Sequence, residues 1–166
     1  MPQIREPLAV LAQVSEPLPG WFPLAFVAIW ALATWVLATT VLGFVSGHAA
    51  LLSRYPPADE PVAERFSFAS GTMRVIPYGS ALYVAIGARG LHVAPNWLFR
   101  PLTHRGIPCI PWADLRCTQA QTERGGWIPR YSRFEVAPIG LRFELYGRPG
   151  RSVESALAHA RGAANV

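Results

Sequence analysis

Residues Trp21 to Val45 read WFPLAFVAIWALATWVLATTVLGFV, 25 residues without a charge and with Thr34, Thr39 and Thr40 as the only polar side chains. The uncharged interval is wider still, since no Asp, Glu, Lys or Arg lies between Glu16 and Arg54. A helix rises about 1.5 Å per residue and the hydrocarbon core of a bilayer is about 30 Å thick, so roughly 20 such residues cross it. A core helix of a soluble domain shows an apolar stripe and a polar face, whereas this stretch is apolar all round. A cleaved signal peptide begins with a basic cluster and has an apolar run of about 7–15 residues. Here Arg5 is set against Glu6 and Glu16 and the run is longer, although Gly47-His48-Ala49 offers a small-x-small sequence. The stretch therefore predicts a single transmembrane helix. Trp21 and Phe22 before it and Tyr55 beyond it are expected at the headgroup layers, where amphipathic rings concentrate.

On the N-terminal side, residues 1–20 hold Ile4, Leu8, Leu11 and Val14 at helical spacing, interrupted by Pro7 and closed by Pro17, Pro19 and Gly20. This predicts a short amphipathic segment at the membrane surface. On the C-terminal side, helix is expected to continue to residue 54, where Tyr55 precedes Pro56-Pro57 and so leaves the helical region. Residues 55–65 then read as a stiff, acidic, proline-rich linker, and 66–166 as the folded domain.

Charge divides the chain the same way. All fifteen basic residues are Arg; twelve of them lie in 66–166 against five acids, a formal +7, and the preceding part carries −2. The absence of Lys is the mark of biased codon usage before it is a choice for bidentate anion binding. Near the apolar stretch, Arg5 stands on one side and Arg54 and Arg65 on the other, which by the positive-inside tendency puts the domain in the cytoplasm. Two cysteines, Cys109 and Cys117, do not make a disulfide framework, in keeping with a reducing compartment.

Beyond residue 65 the period changes to two. Phe66, Phe68 and Ser70 alternate with Ser67 and Ala69, and Leu82, Val84 and Ile86 with Tyr83 and Ala85. Gly87-Ala88-Arg89-Gly90 turns into Leu91 and Val93. Arg74 to Ser80 reads as a loop, Trp97 to Arg105 as a strand end and loop, and Ile107–Trp112 as a short strand that its prolines confine to an edge or a bulge. Arg116–Thr122, Phe134–Ile139 and Leu141–Tyr146 supply further strands around a Gly125-Gly126 turn. Six or seven strands result, with the spacing of a sandwich or barrel. Pro149-Gly150 is expected to end the last strand and Ser152 to cap a helix whose stripe is Val153, Ala156, Leu157 and Ala160.

Six or seven antiparallel strands followed by one amphipathic helix resembles the pleckstrin-homology-like superfold, in its small bacterial membrane-anchored form, over residues 66–162. Within it Ile110-Pro-Trp-Ala-Asp-Leu115 is similar to the segment that enters a middle strand in such domains, after a hairpin of the form Gly90-Leu91-His92-Val93. The resemblance implies a binding or scaffolding module in a bacterial inner membrane. The loop at Arg74–Ser80, where phosphoinositide-binding members concentrate basic residues, holds one Arg.

No catalytic set is visible. His48, His92, His104 and His159 lack partners at useful spacing. His92 is expected on the solvent face of its strand, His159 on the polar side of the last helix, and His48 snorkelling at the membrane boundary. Cys109 and Cys117 read as small buried hydrophobes with no metal spacing, and no phosphate-binding, dinucleotide, hydrolase-elbow or zinc-protease motif occurs. The expectation is a non-catalytic module with no cofactor, metal, nucleic acid or small-molecule substrate. Its contacts are Arg89, Arg100, Arg105, Arg130 and Arg133 in loops and Trp127 beside Gly125-Gly126. The leading reading is an accessory or scaffolding subunit docked on a membrane protein through these residues; the alternative is a free-standing module pressing the same arginines onto anionic headgroups.

Overall fold

The computed structural model describes residues 20–100, 106–121 and 130–163. The chain forms two compact units that divide between Trp35 and Val36. The segment 1–19, His104, Arg105 and the Gly125-Gly126-Trp127 turn lie outside the described residues.

Helix α1, Phe22–Val45, is the apolar stretch, and it is long and apolar enough to cross a membrane. Large apolar side chains are exposed along its length, from Leu24, Phe26 and Val27 to Val41, Phe44 and Val45, and only Thr39 and Gly43 are buried. Its threonines return their hydroxyls to the helix backbone, Thr34 to the carbonyl of Trp30 at 2.9 Å and Thr39 and Thr40 to that of Val36 at 3.1 and 2.7 Å. Hydroxyls used in this way ask nothing of water.

The helix does not run on to residue 54. At Gly47 the backbone turns left-handed, φ 82°, and a separate seven-residue helix α2, His48–Arg54, begins. Only glycine adopts that φ without strain, and a Cβ there would also collide with Leu141 Cδ1. In α2, His48 and Leu51 are fully buried, and Tyr55 just beyond it is 5% exposed within the domain core. His48 and Tyr55 are therefore covered by protein and not exposed as the interfacial reading expects, because the short helix folds into the β unit.

Seven antiparallel strands make one sheet in the order β4-β3-β2-β1-β7-β6-β5. They are β1 Val62–Met73, β2 Ile76–Gly87, β3 Gly90–Pro95, β4 Cys109–Pro111, β5 Leu115–Gln119, β6 Tyr131–Val136 and β7 Leu141–Tyr146. Two meanders, β1–β4 and β5–β7, are thus joined through β1 and β7. The proline-bearing β4 lies at an edge, as its composition predicts. Helix α3, Arg148–Ala163, packs Val153 and Leu157 into the core, where Phe134 and Phe143 stack at 5.4 Å between centroids.

Four local readings differ from the structure. The expected loop at Arg74–Ser80 is a two-residue turn followed by strand; Pro77 is tolerated because Ile76–Ala81 has β1 on one side and β3 joins only from Leu82. Strand β1 begins at Val62, inside the expected linker. A bulge between Phe66 and Ala69 reverses the phase, so that Ala69, Gly71 and Met73 face the core and Phe68 is 71% exposed. Helix α3 starts at Arg148 and takes Pro149 into its first turn, where a missing N–H costs nothing.

Candidate functional site

His92 and Cys109 are direct cross-strand partners of β3 and β4, so their side chains emerge side by side on one face. That face is covered. All six residues of β3 are buried and His92 is 5% exposed, contrary to the solvent-facing position that alternation predicts. The cover is Glu60, from the segment read as linker, whose side chain is 5% exposed.

One Glu60 oxygen, Oε1, accepts from His92 Nε2 at 2.8 Å and from the Cys109 thiol at 3.3 Å. The other, Oε2, accepts the Arg89 backbone N–H at 2.9 Å and lies 3.4 Å from its guanidinium. Burial by itself pushes the Glu60 carboxyl up, but the Arg89 N–H, then His92 and Cys109, outweigh it and hold the group down at about 2. Cys109 moves the other way: burial first, then the Glu60 carboxylate, push its thiol up to about 11. Gly87 makes the arrangement possible, since a Cβ there would run into Glu60 Oε1 and stand 3.0 Å from His92 Nε2.

A cavity of about 340 Å³ opens on Glu60 and His92, with Pro57, Arg65, Tyr83 and Arg100 in its wall. The Arg65 guanidinium lies 5.9 Å from the Tyr83 ring centre. Arg100 is half-buried and donates to the Pro95 carbonyl through Nε and Nη2, and burial lowers its pKa.

The turn Trp97–Phe99, which leads into Arg100, is exposed, Trp97 at 74%. Asn96 fixes it by donating its backbone N–H to Ala81 at 2.7 Å and its side-chain amide to the Ser67 carbonyl at 2.8 Å. Trp97 and Phe68 each adjoin a partner in that last bond.

The other residues singled out from sequence are dispersed. Arg133 donates twice to Glu144 Oε1, at 2.9 and 2.7 Å, and Arg89 is tied to Glu60. Arg130 is exposed just before β6, while Arg105 and Trp127 fall outside the described residues. Trp21 and Phe22 are exposed at the start of α1. Tyr55 donates its hydroxyl to Asp114 at 2.9 Å, and burial followed by that carboxylate pushes it up to about 12. Cys109 and Cys117 are both free thiols. No protein-family model, curated protein or solved structure matches the chain.

Proposed function

We propose that the protein is a single-pass, membrane-anchored, non-catalytic interaction module, an accessory or scaffolding subunit whose β domain docks on a membrane-protein partner. The anchor is α1, whose exposed apolar sides and self-satisfied threonines suit hydrocarbon and would be costly in water. Two antiparallel meanders followed by a helix support the pleckstrin-homology-like reading of the domain. The arginine bias supports a cytoplasmic domain, and the bacterial inner membrane is what the pleckstrin-homology-like resemblance implies.

The observation that carries the docking role is the exposed Trp97-Leu98-Phe99 turn, tied through Asn96 to the Ser67 carbonyl beside exposed Phe68. Contiguous exposed aromatics mark interaction surfaces, and Trp and Phe are enriched at the desolvated centres of interfaces. Headgroup binding would instead draw on uncommitted loop arginines, and of those singled out for it Arg89 and Arg133 are paired with Glu60 and Glu144.

The test is extraction of the native protein in mild detergent, followed by size separation and mass identification. Wild-type chain is expected to travel with a stoichiometric membrane protein, and the double variant Phe68→Ser, Trp97→Ser to lose it. Being exposed, these substitutions should change the unfolding free energy by no more than about 0.5 kcal/mol. A wild-type monomer carrying only anionic lipid would replace the docking reading with the headgroup one.

A further inference from the structure

We infer that Glu60, His92 and Cys109 form a site for a zinc-type divalent cation, bound through Glu60 Oε1, His92 Nε2 and Cys109 Sγ with a fourth position open to the cavity. The three donor atoms lie within 4.8 Å of one another. Tetrahedral zinc with bonds of about 2.0–2.3 Å holds its donors roughly 3.3–3.8 Å apart. The 3.3 Å from Cys109 to Glu60 already lies at the lower end of that range, and the 2.8 Å from His92 to Glu60 must open by about 0.5 Å, which a small side-chain rotation supplies.

The donor set selects the metal. One thiolate, one imidazole and one carboxylate suit zinc, whereas magnesium and calcium require oxygen donors. A second tier is already in place, because the Arg89 N–H and guanidinium occupy Oε2 and leave Oε1 for the cation. Gly87 independently keeps the space in front of Oε1 and Nε2 clear, where any larger residue would place a carbon. Three protein donors with the remaining side toward a cavity is the arrangement of a zinc that keeps one exchangeable ligand. Arg65 and Arg100 in the cavity wall favour water, hydroxide or a small anion there. On binding, the Cys109 thiol loses its proton to solvent as the sulfur–metal bond forms, so affinity rises with pH.

The full chain in mild detergent, stripped of metal, is titrated with zinc chloride against a chromogenic chelator, and separately with cobalt chloride. One zinc per chain is expected, unaffected by excess magnesium, and cobalt should show a thiolate-to-metal charge-transfer band. His92→Gln and Cys109→Ser should each weaken zinc by roughly 100-fold or more, with Glu60→Gln weaker in effect and Cys117→Ser neutral. The cobalt band is read on the unaltered chain, so it decides the matter even where a variant unfolds. A wild-type chain that takes up no stoichiometric zinc, or a cobalt spectrum without the thiolate band, overturns the site.

Discussion

Leu51→Ala should destabilise the β domain by about 3 kcal/mol, although the residue lies in a stretch whose composition continues the apolar helix. Leu51 is 0% exposed and belongs to the same core cluster as Leu82, Ile110 and Leu141. Truncating a fully buried leucine removes its transfer free energy and leaves a cavity, at about 2–5 kcal/mol. A leucine in a juxtamembrane helix outside the domain would show almost no effect. Urea unfolding of the full chain in mild detergent, followed through its β-sheet circular dichroism, separates the two. As a corollary, a fragment that starts at residue 66 lacks Leu51, Tyr55 and the first strand residues, and should not fold as the longer chain does.

Glu60→Gln should cost a comparable amount, about 3 kcal/mol, and unlike Leu51→Ala its effect should depend on pH. Removing one member of a buried charged network strands its partners, here the Arg89 N–H and guanidinium and the His92 ring. The pH dependence follows from the carboxyl being held at about 2 in the folded chain against an ordinary 4.5. A group whose pKa falls on folding stabilises the fold fully above its unfolded value and loses that contribution as pH drops toward the folded one. In metal-free buffer, the stability gap between wild type and Glu60→Gln should be constant above pH 5 and close between about 4.5 and 2. A gap that stays constant down to pH 3 would mean that Glu60 is not held as a buried anion.

The extent to which all this was legible in the sequence varies with how local the signal is. Helix α1 follows from composition alone, and β4 at its edge from two prolines in a short apolar run. The turn Gly87–Gly90 and the stripe Val153, Leu157 were equally readable. What alternation cannot convey is a single inserted residue: the bulge before Ala69 exchanges inside and outside, and turns Phe68 from core candidate to surface aromatic. Nor does composition separate an apolar residue that enters lipid from one that enters a core, so the burial of Tyr55 and His48 in the β unit has no signal in the sequence. The Glu60, His92 and Cys109 cluster left no spacing signal. It depends on the register of β3 against β4 and on a segment of Pro, Ala, Asp and Glu that looks like a linker until its carboxylate is seen beneath two strands. Buried acids of this kind have no period to betray them.

The proposed docking role is tested most directly by placing a photo-crosslinking amino acid at Trp97 in intact membranes, with Val75 as control. Val75 is 75% exposed in the β1–β2 turn, away from the aromatic turn that Asn96 fixes. The account predicts a single membrane-protein adduct from position 97 and none from position 75. Adducts to lipid alone, or equal adducts from both positions, would contradict it.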